Sequence, residues 1–525
     1  MKRKRRAPFP LQYEKRIMKN LSAIDATVLI AYLLGIVALG AWLGRGKQDA
    51  KRYLLGGNNT PWWAILGSIV ATETSTVTFL SVPSIAFAED GNLRFLQLAM
   101  GFILGRVLIV VWLLPLYFRG ELFTVYELLQ KRFGKPTQKL ASLIFVVTRN
   151  LGDGLRLFLT AVVLEATLGW SLSSCVITIG IATIVFTFFG GMQSVIWNDC
   201  IQLAVYIIGG IVAFFLIAAR LDGGLSGLSE FAQTTGRLRI FDFPFFDEAG
   251  PRFDETYTFL AGIIGGTFLT IGTHGTDQMF VQRALAARSQ ADAGKALILS
   301  GFVVWFQFAL FLCVGIALAS FYTANPPAEE FASGDRVFSS FIVNEMPKGI
   351  GLIGLLLAAV FSAAMSTLSS SLNSSATAVV TDWIVPTYKN ITDRGIVWLS
   401  KILTIFFGFV QIMIGIRAAD WQESVVGNAL AIAGFSAGLL LGLFALGTFL
   451  RRVNQAAAVA GLLAGVLALV IVKFGIGGLP EESPWSYKVA WPWFPLIGSF
   501  VTFGYGWLAS FVVGSDSDTD RGWDR

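Results

Sequence analysis

The sequence predicts an all-α polytopic membrane protein with about thirteen transmembrane helices. Three observations point there. Charged residues make up 14% of the 525 and hydrophobic residues 54%, whereas a soluble domain carries about 25% charged residues. Apolar stretches of about 20 residues, enough to cross the hydrocarbon core, recur along the chain. Lysines and arginines gather in alternate connections, as the positive-inside bias requires.

In order, the expected crossings lie near 24–44, 62–88, 93–118, 138–168, 172–190, 194–220, 256–282, 295–322, 349–379, 396–416, 423–449, 456–474 and 493–513. The connections bearing Arg45, Lys47, Lys51, Arg52, Lys131, Arg132, Lys135, Arg283, Arg288, Lys389, Arg394, Arg451 and Arg452 are assigned to the cytoplasm. The connections 222–255 and 323–348 then fall outside; both are acidic and contain proline. The run Lys2, Arg3, Lys4, Arg5, Arg6 precedes a span that this scheme starts outside. Either the first span is not a simple crossing, or initiation at Met18 removes the conflict, and the second is the favoured reading. No cleavable leader pattern is present, because the basic run leads into a full-length span.

One histidine, His274, and three scattered cysteines, Cys175, Cys200 and Cys313, offer neither zinc spacing nor a disulfide framework. The net charge of +6 lies at helix ends, which makes the lipid bilayer the partner and not nucleic acid.

Polar residues inside the spans mark function, since they are costly in lipid and tend to face a bundle interior or a wet cavity. The span 349–379 ends in a file of hydroxyls in which Ser366, Ser370, Asn373 and Thr377 share a face. Neutral oxygens at that depth suit a hard cation such as sodium; hydrogen bonding between packed spans is the alternative. The second span carries ATETSTVT at 71–78 with Glu73, and the seventh GGTFLTIGTHGTDQ at 265–278 with Asp277. Interrupted helices at matching places in two halves point to a carrier built from inverted repeats, with solute and ion held at the breaks.

The chain resembles the sodium/solute symporters, which include sodium/glucose, sodium/proline and sodium/sialic acid cotransporters. The resemblance rests on LPLYFRGELFTVYELLQKRFG at 114–134, GGMQSVIWNDCIQ at 190–202, GTDQMFVQRALAAR at 275–288, STLSSSLNS at 366–374 and RRVN at 451–454. It implies a leucine-transporter-like core of two five-helix inverted repeats at 62–220 and 256–449. Around this core lie a basic N-terminal extension at 1–23, a peripheral helix at 24–44, two peripheral helices at 456–513 and a polar tail at 514–525.

The same resemblance places a sodium ion at Ala71, Thr74, Ala363, Ser366 and Thr367, the two hydroxyls supplied by Ser366 and Thr367 and the rest by carbonyls. Asp199 with Ser369 marks a second sodium site or an exit path, although Ala363 stands where relatives with an extra ion often have serine. Solute contacts fall on Glu73, Ser75, Thr78, Thr273 and His274, with Gln97, Gln307 and Asn428 standing near positions used for sugars that are here the apolar Ala99, Val304 and Leu430. Arg149, Asp153 and Arg156 share one helix face. They either receive an anionic solute, or Arg149 pairs locally with Asp153 while Arg156 snorkels or neutralises Glu165 or another bundle acid.

The expected function is sodium-coupled import, by alternating access, of a small polar solute: a sugar, a carboxylate of the sialic acid kind, or an amino acid. A channel would share polar spans without needing two broken helices. An enzyme would need a nucleophile with its base, and Ser366 has no histidine in its motif. A sensor is disfavoured by the short tail after 513.

Overall fold

The computed structural model describes residues 22–45, 49–247, 250–327, 331, 334, 336–388, 390–418, 425–476 and 488–513. The basic run, Met18 and the tail from 514 lie outside the described residues. The longer helices are α1 (Ala23–Leu43), α2 (Trp62–Glu73), α3 (Thr76–Phe87), α4 (Leu96–Trp112), α5 (Lys135–Leu168), α6 (Leu172–Ala218), α7 (Gln278–Leu285), α8 (Gln290–Ala324), α9 (Leu352–Val379), α10 (Asp393–Arg417), α11 (Val425–Phe449), α12 (Gln455–Val470) and α13 (Phe494–Val512). A two-residue antiparallel pairing of Phe246–Asp247 with Gly250–Pro251 is the one strand pair among the described residues.

Every expected crossing is helical in its described part, but among the described residues length and apolarity qualify 8 helices as spans, or 9 with the bent pair α2–α3 counted as one. The difference has physical causes. Helix α6 merges two expected crossings across Gly191, whose φ of 55° and ψ of −158° are not helical. A side chain there would meet the Tyr53 carbonyl oxygen at 2.6 Å, so only glycine admits both the turn and the contact. Helix α4 has 17 residues, α5 carries several charges, and the segment 261–276 is divided into short π and α turns.

Capping side chains show why the chain stops and restarts. Ser22 accepts the Asp25 N–H to open α1, Ser289 accepts that of Asp292 for α8, and Asn454 accepts that of Ala457 for α12. The same device operates inside the two broken spans. Thr74 and Ser75 are extended, and Ser75 with Thr78 forms a capping box that opens α3 at 62° to α2. Asp277 is likewise extended, and its carboxylate accepts the Met279 N–H at 2.8 Å to open α7.

Burial separates core from periphery. The apolar window of the helix beginning with α9 is 89% buried, whereas that of α1 is 17% buried. Helix α9 is therefore the axis of the bundle, packed by α6, α5, α10 and α1, while α12 and α13 pack on each other and on α11. Helix α4 lies against the second broken span so closely that a side chain at Gly101 would sit 2.4 Å from the Gly262 carbonyl oxygen. That contact carries α4's lone arginine to the break.

Candidate ion and solute sites

The hydroxyl face of α9 meets the break of α2–α3. Thr367 Oγ1 lies 3.0 Å from the Thr72 carbonyl oxygen, 3.2 Å from that of Thr74 and 3.4 Å from that of Ala363. One hydroxyl proton serves one of these carbonyls at a time, so oxygen lone pairs without a donor converge beside Thr367. The five residues assigned to sodium, Ala71, Thr74, Ala363, Ser366 and Thr367, are all buried. Thr72, missed in the sequence, contributes the carbonyl that approaches Thr367 most closely. The Thr74 hydroxyl is committed to Gln307 Oε1 at 2.9 Å, which leaves Thr74 its carbonyl.

Ser366 donates to Asp199 Oδ1 at 2.6 Å. Asp199 Oδ2 accepts from Ser68 at 2.5 Å and from Arg283 Nη2 at 3.1 Å. Arg283 also donates to the Ser68 and Ser370 hydroxyls and to the Met279 carbonyl. Its assignment to a connection is corrected: it lies in α7 and is fully buried, and the carboxylate and hydroxyls that surround it replace the water a loop arginine would have. Ser369 donates its hydroxyl to the Ser366 carbonyl.

Beside this oxygen cluster opens a cavity of about 400 Å³. Glu73, Ser75, Thr78, Thr273 and His274 all line it, together with Arg149 and Arg156. Its remaining wall is largely apolar: Phe95, Leu98, Phe102, Leu269, Phe280 and Phe308, with Tyr257 and Trp491. Gln97 is not in this lining, and its expected solute contact is corrected. Its amide is consumed by the Arg94 and Tyr257 carbonyls and by the Asp242 N–H, so it ties the outer loop to the cavity rim. The Asn428 side chain lies outside the described residues.

The charges around the cavity are paired. Glu73 is gripped by Arg106 of α4, and His274 Nε2 stands 3.5 Å from Glu73 and 3.3 Å from Arg106. The other ring nitrogen of His274 meets the Thr273 hydroxyl at 3.0 Å. Arg149 binds Asp277 at 2.6 Å and stands 3.9 Å from Asp153, whereas Arg156 pairs with Asp153. The local Arg149–Asp153 pairing is thus secondary to a bond across the second break, and Arg156 is taken by Asp153 rather than Glu165. Three guanidinium groups face three carboxylates, so the region carries no excess charge apart from any proton on His274.

Comparison with known proteins supplies the context. The model of the family described as sodium:solute symporter matches residues 53–465. A sodium/sialic acid symporter, NanT, of Aliivibrio fischeri is 30% identical over 459 residues, covering 87% of this chain and 88% of that protein. Sodium-coupled monocarboxylate transporter 2 of Bos taurus is 29% identical over 483 residues, covering 90% and 76%. The fold is similar to that of a Na⁺-coupled sialic acid symporter solved in a substrate-bound outward-open state, with a TM-score of 0.82 at 25% identity, over 94% of this chain and 99% of that one. The chain belongs to the sodium:solute symporter family, a multi-pass membrane protein that couples a small solute to sodium.

Proposed function

We propose that the solute is a monocarboxylate with an apolar body, and that one sodium ion accompanies it. The observation that carries this reading is the exposure of Arg149 and Arg156 into a cavity whose other wall is mainly aromatic and aliphatic. A guanidinium already holding one carboxylate keeps further N–H donors for a second, and its planar fork matches carboxylate geometry. Phe95, Phe102, Phe280 and Phe308 receive the solute's carbon skeleton. A sugar would leave its hydroxyls against these rings unpaired. An amino acid would need a free acid for its ammonium, and Glu73 is held by Arg106.

Sodium rests in the cage of Thr367 and Ser366 hydroxyls with the Ala71, Thr74 and Ala363 carbonyls, to which the structure suggests adding that of Thr72. This cage has no formal charge, so an ion inside it leaves one uncompensated positive charge in a low-dielectric interior. An anionic solute next to it restores neutrality, which is a physical basis for coupling. A second sodium at Asp199 would have to displace Arg283, which already neutralises that acid. On this reading Asp199 and Ser366 orient the cage instead of filling a second one. The two repeats, 62–220 and 256–449, move against each other around these sites.

Uptake by proteoliposomes tests the reading. With sodium outside, short and aromatic monocarboxylates are expected to accumulate, sugars and zwitterionic amino acids are not, and replacing sodium with potassium stops uptake. Preferential uptake of a sugar or an amino acid would overturn the solute assignment and leave the sodium cage standing.

A further inference from the structure

Four acids inside the bundle have arginine partners: Glu73 with Arg106, Asp153 with Arg156, Asp199 with Arg283 and Asp277 with Arg149. Asp382 does not. It lies in the π turn Val380–Ile384 that ends the hydroxyl helix, at the end that the positive-inside bias assigns to the cytoplasm, and it is fully buried. Its Oδ1 accepts from the Thr124 hydroxyl at 2.6 Å and from the Gln138 amide at 2.8 Å, both neutral donors. Its Oδ2 has no hydrogen-bond partner of good geometry, and neither do Gln138 Oε1 and the neighbouring Ser142 hydroxyl, a third neutral donor that faces Asp382.

The groups facing Asp382 do not supply a counter-charge. From the helix Tyr126–Phe133 comes another acid, Glu127, which accepts the Phe123 and Thr124 N–H groups at 2.9 Å each and repels a charge at Asp382. Tyr126 comes from the same helix. From α5 come the Ser142 hydroxyl and Gln138. Lys139, also on α5, places its ammonium 5.2 Å over the Trp383 ring, and Lys131 acts on Glu127. A carboxylate buried among neutral groups, with one oxygen unmatched, is costly by several kcal/mol.

A Ser142 hydroxyl turned to Oδ2 adds one more neutral donor but no counter-charge and leaves Gln138 Oε1 unmatched, whereas a proton on the acid satisfies both Oδ2 and Oε1. Gln138 already donates an N–H to Asp382 Oδ1; a proton on Oδ2, donated to Gln138 Oε1, completes the cyclic pair that a carboxylic acid makes with an amide. We propose that Asp382 is a proton-binding site, neutral while it is buried as in this structure and ionised when the carrier opens this end of the bundle to cytoplasmic water. On opening, the Oδ2–H bond breaks, the proton passes to cytoplasmic water, and the carboxylate gains the hydration it lacks when buried. Inward opening then releases one proton, and cytoplasmic alkalinity favours it.

Infrared spectroscopy of the full-length protein in lipid nanodiscs, with sodium at neutral pH, tests this directly. The expected result is a protonated-carboxyl C=O band that disappears in Asp382→Asn, an isostere of the neutral acid that can keep the pairing with Gln138, and persists in Glu73→Gln. Gln138→Leu is expected to shift that band by removing the amide. Identical spectra for wild type and Asp382→Asn would overturn the proposal. Equilibrium binding of ²²Na⁺ should be unchanged in Asp382→Asn; loss of a bound ion would assign the site to a metal cation and overturn the proton.

Discussion

Arg106 stands alone in the apolar run LQLAMGFILGRVLIVVW and yet decides what Glu73 can do. The signal was present, since a charge within a span asks for a partner, but its distance of 33 residues from Glu73 hid which acid it meets. Arg283 was obscured differently: at the end of a span it reads as an orientation charge, and only the packing of α7 under α2 and α9 buries it against Asp199. By contrast the placement of Glu73, Ser75, Thr273 and His274 around one cavity was legible, because an acid, hydroxyls and an imidazole at two breaks of apolar spans belong in a bundle interior. The buried Arg283–Asp199 pair yields a clear prediction. Arg283→Met should lower stability by about 3–5 kcal/mol by leaving a buried carboxylate unpaired, and adding Asp199→Asn should restore most of the loss. Chemical unfolding in detergent reads both; equal stability of Arg283→Met and wild type would mean that the pair is incidental.

At the level of elements, both broken spans were visible from Gly, Thr and an acid at matching depths, and Ser75 and Asp277 prove to be the caps that restart their helices. The outer loop was not legible beyond its acidity. Its structure depends on Asp242, which binds Arg94 at 2.8 Å, Arg239 at 3.0 Å and Arg252 at 3.1 Å while Gln97 accepts its N–H. Those contacts join residues up to 148 positions apart, beyond the reach of any local pattern. Burial alone would raise the Asp242 carboxyl, but the hydrogen bonds from Arg252 and Arg94 hold it below the ordinary range. A lowered folded value means that the stabilisation is complete above the unfolded value near 4 and is lost as pH falls through the folded value. Hydrogen exchange at the Phe259 amide, which donates to the Asp242 carbonyl at 2.7 Å, should therefore show an undiminished protection factor from pH 8 to about 5 and a loss only below about 4. Loss already at pH 6 would show that another group holds the loop.

Across the whole molecule, the polytopic helical class followed from composition, and family membership from ordered motifs; the number of spans was harder to read, because one long helix crosses the Gly191 kink and others are short or charged. The paired arginines and acids give a functional consequence at this scale. If one sodium travels with one monocarboxylate and the interior pairs stay intact, the loaded carrier moves no net charge. A translocated charge would feel about 2.3 kcal/mol per 100 mV, so an imposed potassium diffusion potential should leave monocarboxylate accumulation nearly unchanged. A strong voltage dependence would require a second ion and would return Asp199 to the list of ligands.

The cage itself is tested most directly by sodium activation of monocarboxylate uptake in Ser366→Ala/Thr367→Ala beside wild type, with membrane insertion verified in both. Wild type is expected to show a hyperbolic dependence on a single ion, and the double variant to lose sodium dependence with its fold intact. Wild-type sodium affinity in the double variant would contradict the account.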